Sequence, residues 1–182
     1  MKRQIFIFIL GIFTIASSTA AFAQNNLRIV IIRHGEKPIE GDNLTCKGLN
    51  RALQLPKVIY SKFGVPNYTY VPKLSMKSET KHARMFETVM PLAAKYNLNI
   101  NSQFDKDDAY NIAADLKNKK GTVLMVWEHH ALTDIVRALG VKDKQLWNDN
   151  DFDSIWIITF KDGVATMTMD TEGLSPSDDC AF

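Results

Sequence analysis

Residues 27–32 form a short, nearly continuous apolar run that leads directly into Arg33-His34-Gly35. Its β-branched residues and its lack of polar alternation are typical of a strand that is covered on both faces, as in a parallel sheet. Gly35 allows the backbone to turn sharply after this strand. Because ligands of open α/β sheets bind beyond the carboxyl ends of the strands, Arg33 and His34 are predicted to lie at a ligand site.

Helical and strand patterns alternate through the rest of the chain. We predict, in order, a helix over 45–63, a strand over 68–75, a helix over 79–97, a strand over 98–104, a helix over 107–119, a strand over 123–127, a helix over 131–139, and a hairpin of 154–160 with 164–169. This order predicts an α/β fold, a three-layer α/β/α sandwich whose sheet is mostly parallel with an antiparallel edge.

The sequence also predicts which residues cap the helices and which side of one helix is buried. Thr45 is a suitable N-cap for the first helix, and Gly64 is expected to end that helix. An aspartate, Asp105 or Asp107, is suited to cap the helix over 107–119. The apolar side of the helix over 79–97 is predicted to comprise Ala83, Phe86, Met90 and Ala93.

The N-terminus has the pattern of a secretory signal peptide. Two basic residues precede an apolar stretch over 5–15, and small residues, Ala21-Phe22-Ala23, stand before Gln24. We expect residues 1–23 to be removed and residues 24–182 to form a single domain in the periplasm or outside the cell. An uncleaved anchor is the alternative. A lipoprotein anchor is excluded because position 24 is not cysteine.

Charge and cysteine content restrict the partners further. The formal net charge of +2 falls to zero without the leader, which contains two cations and no acid. No basic patch indicates nucleic acid, and no membrane contact is expected after cleavage. The two cysteines, Cys46 and Cys180, would form a disulfide in an oxidising compartment or remain as two free thiols.

Four segments in this order resemble the histidine phosphatase superfamily, which includes phosphoglycerate mutases, phytases and small phosphatases. They are Arg33-His34-Gly35, the segment from Leu44-Thr45 to Ala52, Arg84-Met85-Phe86-Glu87-Thr88, and Trp127-Glu128-His129 before a helix that ends in Gly140. The resemblance implies a phosphoglycerate mutase-like fold. It also implies a phosphatase that hydrolyses phosphomonoesters through a phosphohistidine, with no cofactor and no metal.

The resemblance assigns His34 as the nucleophile and Arg33, Arg84 and His129 as phosphate ligands. These residue types suit the chemistry, since a transferring phosphoryl group spreads negative charge over its equatorial oxygens and needs fixed cations around it. Guanidinium groups grip two oxygens at once and stay protonated. A neutral imidazole can attack phosphorus and form a covalent intermediate.

The acid that protonates the leaving oxygen is predicted to be Asp105, which follows the third strand. Asp107, Asp108 and Glu128 are the other candidates.

Each site residue also has a structural alternative, in which Arg33 is a solvated cation at the strand end and His34 is a hydrogen-bonded core histidine. Arg84 is spaced to pair with Glu79 or Glu87 along its helix. His130 competes with the adjacent His129 for the inward position. A zinc site at Glu128-His129-His130 is disfavoured, because neighbouring side chains are expected to diverge.

Two further features bear on specificity and on metals. The segment 149–153 is rejected as a calcium loop because it lacks the required glycine and terminal glutamate. Thr80 stands where the superfamily commonly has serine. Specificity is expected to reside in loops over 36–43, 65–78 and 141–153.

Three functions follow from this pattern. The first is an exported phosphatase that acts on a small phosphorylated substrate. The second is a phosphomutase, which export disfavours. The third is a non-catalytic module that binds phosphate or another anion in the same cationic pocket. The sequence leaves the natural substrate and the oligomeric state open.

Overall fold

The structure, a computed structural model, describes residues 26–75, 82–143 and 145–180. The signal-peptide prediction over 1–23 and the position of Thr80 lie outside these residues. The elements are β1 (Arg28–Arg33), α1 (Cys46–Phe63), β2 (Tyr68–Tyr70), α2 (Ala83–Tyr96), β3 (Ile100–Asn101), α3 (Ala109–Lys117), β4 (Thr122–Trp127), α4 (His129–Leu139), β5 (Ser154–Lys161) and β6 (Val164–Thr171).

The strands form one mixed sheet in the order β3-β2-β4-β1-β5-β6. The first four strands in this order are parallel, whereas β5 runs antiparallel to β1 and pairs with β6 as a hairpin. The predicted α/β sandwich with a mostly parallel sheet and an antiparallel edge is confirmed.

Strand β1 is central, and its alternate side chains enter two different cores. Ile29 and Ile31 pack with α3 and α4 on one face of the sheet, and Val30 and Ile32 pack with α1 and α2 on the other. All four are fully buried. Burial on both faces explains why the run lacks polar alternation.

The outer parallel strands are shorter than predicted. Strand β2 ends at Tyr70 and not at residue 75, since Pro72 lacks the N–H that a sheet ladder requires. Strand β3 comprises only Ile100 and Asn101 of the predicted 98–104, because it lies at the sheet edge and pairs with β2 alone.

The apolar face predicted for α2 is partly wrong. Ala83 and Ala93 are buried as predicted, whereas Met90 is 47% exposed and Met85, Val89 and Leu92 complete the buried face. Packing against α1 and the sheet selects this face over one that includes Met90.

Helix ends follow the expected chemistry with one correction. Thr45 caps α1 by accepting a hydrogen bond from the Gly48 N–H at 3.2 Å, and Gly64 ends the helix. The cap of α3 is Asp108, which accepts from the Asn111 N–H, and not Asp105 or Asp107. Helix α4 begins at His129, two residues earlier than predicted.

A crevice is expected where helices leave neighbouring strands toward opposite faces. Strands β1 and β4 pair in parallel, with Arg33 beside Trp127 in register. Helix α1 packs on one face of the sheet and α4 on the other. The carboxyl ends of β1 and β4 therefore border the site where open α/β sheets bind ligands.

The C-terminal tail is fixed to the start of α1 by a disulfide between Cys46 and Cys180, which decides between the two alternatives left by the sequence. The Asn50 side chain adds hydrogen bonds to the carbonyls of Ser177 and Asp179. In the described part of the chain, no helix combines the length and apolar character needed to cross a membrane.

Removal of this disulfide is expected to lower the stability of the fold. The bond joins residues 134 apart and restricts the unfolded chain accordingly. A variant carrying Cys46→Ser and Cys180→Ser should lose about 2–5 kcal/mol of unfolding free energy, as measured by urea denaturation. Reductant should destabilise the wild type and leave the double variant unchanged. Equal stability of the oxidised and reduced wild type would contradict this expectation.

Candidate active site

His34 lies directly after β1, and its imidazole is oriented by the backbone. The residue is 1% exposed, and its N–H donates to the Trp127 carbonyl at the end of β4. Nδ1 lies 2.7 Å from the Gly35 carbonyl oxygen. Since a carbonyl only accepts, Nδ1 carries the hydrogen, and Nε2 retains its lone pair.

The surroundings of His34 keep its ring neutral. Burial lowers its pKa to about 3, and the positive charges of Arg33, Arg84 and His129 act in the same direction. The hydrogen bond to the Gly35 carbonyl opposes them only in part. A neutral imidazole with a free Nε2 lone pair is a nucleophile at physiological pH.

Close backbone packing fixes the loop after His34. A Cβ on Gly35 would lie 2.8 Å from the Gly48 carbonyl oxygen, and one on Gly48 would clash with the Glu36 carbonyl oxygen. The Gly35 N–H donates to the Thr88 hydroxyl at 2.9 Å, which in turn donates to the Arg84 carbonyl. The Arg-x-x-x-Thr spacing thus ties α2 to the loop.

A buried ion network supports the same loop from α1. Arg51 donates to both carboxylate oxygens of Glu36, at 2.8 and 3.0 Å, and to Glu172 at 2.6 Å. Asp153 lies 3.5 Å from the same guanidinium. Burial raises the pKa of Glu172 to about 8, although Arg51 opposes this shift. Glu36 belongs to the predicted specificity loop 36–43, and its pairing with Arg51 was not predicted from the sequence.

Arg33 is buried and is bound by the loop between α4 and β5. Its Nη1 donates to the carbonyls of Asp149 at 2.6 Å and Asp151 at 3.2 Å, and its guanidinium lies 4.0 Å from the centre of the Phe152 ring. Burial lowers its pKa, and the carboxylates of Glu128, Asp149 and Asp151 oppose this effect. Within the described part of the chain, its buried Nε–H has no hydrogen-bond partner.

Arg84 lies in the first turn of α2. Its Nη1 donates to the Gly41 carbonyl at 3.2 Å, and its buried Nε–H has no partner among the residues that the structure describes. The predicted alternative of a pair with Glu87 is not found, because that carboxylate accepts from the Leu44 N–H. The other alternative, Glu79, lies outside the described residues. Arg33 and Arg84 each offer a buried N–H to an anion.

His129, the first residue of α4, is 6% exposed, whereas His130 is exposed. Its Nε2 lies 2.9 Å from Asp149 Oδ1 and donates to that carboxylate. Its Nδ1 lies 2.9 Å from Glu128 Oε1, but in an orientation that does not form a hydrogen bond. The structure therefore places His129, and not His130, on the inner side.

These placements bring four of the five predicted site residues together. The charges of Arg33, Arg84 and His129 all act on His34. The fifth, Asp105, is exposed on the loop after β3, and no hydrogen bond or ion pair joins it to the other four, all of which lie in the described chain. Its role as general acid stays a prediction.

Asp149 is a pocket residue that sequence reasoning missed. Residues 149–153 were considered only as a calcium loop, although they fall within the predicted specificity loop 141–153. Both the carbonyl and the carboxylate of Asp149 contact predicted phosphate ligands, Arg33 and His129. The sequence signal that could have identified Asp149 is its carboxylate within the predicted specificity loop 141–153.

The geometric objection to a metal site at Glu128-His129-His130 was wrong. Their ligand atoms lie within 4.8 Å of one another, and the two imidazole ring centres are 3.9 Å apart. The Arg33 cation and the start of α4 lie beside this cluster, and both disfavour a bound cation. The pocket is therefore better suited to an anion.

The fold is shared with solved structures of phosphoryl-transfer proteins. The protein histidine phosphatase SixA complexed with tungstate is 15% identical and aligns over 80% of this chain and 97% of its own, with a TM-score of 0.62. A phosphoserine phosphatase variant from Entamoeba histolytica, in complex with phosphoserine, is 12% identical over 81% and 97%, with a TM-score of 0.55. Phosphoglycerate mutase from Bacillus anthracis is 16% identical over 87% and 95%, with a TM-score of 0.52.

No family model and no curated protein matches the sequence. At identities this low, the structural similarity shows a shared fold. It confirms the phosphoglycerate mutase-like fold that the sequence resemblance implied.

The His34 ring is expected to stay neutral between pH 5 and 8, because its pKa is lowered to about 3. NMR of ¹⁵N-labelled protein should show constant ring shifts with the hydrogen on Nδ1, and His34→Ala would identify the signals. The unfolded ring takes up a proton near pH 6.5 that the folded ring excludes, so acidification below that pH should destabilise the fold. A ring that titrates near its ordinary pKa would refute this expectation.

Proposed function

We propose that this chain is a histidine phosphatase that hydrolyses small phosphomonoesters through a phosphohistidine on His34. The observation that carries the proposal is a buried, neutral His34 whose Nε2 lone pair is free and whose neighbours Arg33, Arg84 and His129 supply positive charge. A nucleophile within a cationic pocket is what phosphoryl transfer requires.

Substrate binding follows from the donors of the pocket. The two buried guanidinium N–H groups and the Nε2–H of His129 point to a tetrahedral oxyanion as the ligand. Arg33 and His129 already bind the loop through Asp149, so an incoming phosphate replaces the Asp149 carboxylate on His129. For Arg33, phosphate oxygens are stronger acceptors than the loop carbonyls, and on His129 one anionic acceptor replaces another.

The chemical steps involve one covalent intermediate. His34 Nε2 attacks phosphorus, the bond to the leaving oxygen breaks, and a protonated alcohol departs. Water then attacks the phosphorus of phosphohistidine, which releases inorganic phosphate and restores the neutral ring. The arginines stabilise the charge on the equatorial oxygens in both steps.

Two structural neighbours support this substrate class by what they contain. The SixA structure holds tungstate, and the phosphoserine phosphatase structure holds phosphoserine.

The non-catalytic anion-binding module is the second candidate. It is favoured by the contacts that the loop makes to Arg33 and His129.

A covalent intermediate should form on His34 and can be trapped. We expect residues 24–182 to hydrolyse 2,4-dinitrophenyl phosphate and to retain acid-labile label after quenching with ³²P-labelled substrate. His34→Ala should abolish both turnover and label, while His82→Ala, on a histidine whose ring contacts the Lys73 carbonyl, should preserve them.

Other results would reject this mechanism. Phosphate binding without turnover would favour the anion-binding module. Transfer of label to a second hydroxyl compound in preference to water would favour a mutase.

We further propose that the protein is exported and acts in the periplasm or outside the cell. The disulfide between Cys46 and Cys180 supports export, because such bonds persist in oxidising compartments and are rare in the cytosol. A phosphomutase that depends on intracellular metabolites is disfavoured on the same ground.

Export predicts a defined mature N-terminus. Expression of the full chain in a Gram-negative host should give an extracytoplasmic protein that begins at Gln24, as read by N-terminal sequencing. Ala23→Arg should block this processing, because cleavage requires a small residue before the site. An intact Met1 on cytoplasmic protein would contradict the proposal.

A further inference from the structure

We infer that Asp149 is the general acid of the reaction and protonates the oxygen of the leaving group. The inference rests on the proposed phosphatase function. It assigns the acid to the loop between α4 and β5, and not to the loop after β3 that contains Asp105.

The position of Asp149 is set by contacts to two predicted phosphate ligands. Its carbonyl accepts from Arg33 Nη1 at 2.6 Å, and its Oδ1 accepts from His129 Nε2 at 2.9 Å. The carboxylate therefore lies within one hydrogen bond of the place where a phosphate oxygen must bind.

Exposure places this carboxylate at the mouth of the pocket. The Asp149 side chain is 75% exposed, whereas Arg33 and His34 are almost fully buried. A phosphomonoester binds with its phosphate inward, so its alcohol oxygen faces outward. The acid must stand on that outer side, where Asp149 lies.

The other carboxylates near the pocket are already engaged. Burial opposes the ionisation of Glu128, yet its contact with the His129 ring lowers its pKa to about 2, which makes it a poor proton donor. Asp151 accepts from the Ser154 hydroxyl and from two backbone N–H groups, and its pKa is lowered. Glu36 is paired with Arg51.

Substrate binding supplies the reason for Asp149 to take up a proton. When the phosphate dianion accepts the Nε2–H of His129, the displaced carboxylate faces a like charge. Two anions in one site favour protonation of one of them. The guanidinium groups and His129 hold the phosphate as the dianion, so the carboxylate takes the proton, which comes from solvent.

The proton balance then closes over one turnover. As the phosphorus–oxygen bond breaks, its electron pair goes to the leaving oxygen, and Asp149 gives its proton to that oxygen. The resulting carboxylate accepts a proton from the water that attacks phosphohistidine. Asp149 is then protonated again.

The leaving group tests this role directly. Asp149→Asn keeps an acceptor for the His129 N–H but cannot donate an acidic proton. We expect kcat/KM for an alkyl phosphate to fall by about 10²–10⁴-fold. For 2,4-dinitrophenyl phosphate, whose leaving group needs no proton, it should stay within about threefold of the wild type. Asp149→Glu should recover part of the alkyl phosphate activity.

A matched variant serves as the control, and three outcomes would contradict the inference. Asp143→Asn removes an exposed carboxylate from the same loop and should leave both substrates unaffected. An equal loss on both substrates in Asp149→Asn, or a leaving-group-dependent loss in Asp105→Asn, would overturn the inference while leaving the phosphatase function intact. A wild type that neither turns over 2,4-dinitrophenyl phosphate nor labels His34 would overturn the phosphatase function and the inference with it.

Discussion

Parallel pairing of β1 with β4 is the constraint on which the pocket depends. It sets Arg33 beside Trp127 at adjacent strand ends, so the residues that follow, His34 and His129, start from neighbouring positions. Burial of β1 on both faces then holds this edge in place. Everything that reaches the pocket from elsewhere, including Arg84 from α2 and the loop after α4, is anchored to groups whose position this pairing has already fixed.

The cost of burying so much positive charge is balanced by backbone carbonyls and by nearby carboxylates. Arg33 is bound by loop carbonyls, and Arg84 by the carbonyl of Gly41. Arg51 forms an ion pair with Glu36 that supports the loop next to His34. The fold thus uses an additional arginine to hold the loop that follows β1, which is consistent with a rigid, preorganised anion site.

Sequence patterns predicted the centre of the sheet well, because an uninterrupted run of apolar residues can only be a buried strand there. Strong local signals are present in the β1 run, at the Thr45 cap and in the hairpin of β5 and β6. Prediction failed where tertiary packing chooses between equivalent patterns, as in the exposure of Met90. It also failed for Asp149, because a loop residue reaches His129 through a conformation that no periodicity encodes. The cationic residues were identifiable from their motifs, whereas their carbonyl and carboxylate partners were not.

The bond between Cys46 and Cys180 has a consequence for the order in which the molecule matures. One partner lies at the start of the first helix and the other 134 residues further along the chain, and these are the two cysteines of the sequence. Cys46 therefore has no intramolecular partner until residue 180 has been synthesised and brought to the first helix. The cross-link consequently forms late and stabilises a fold in which the tail already contacts α1.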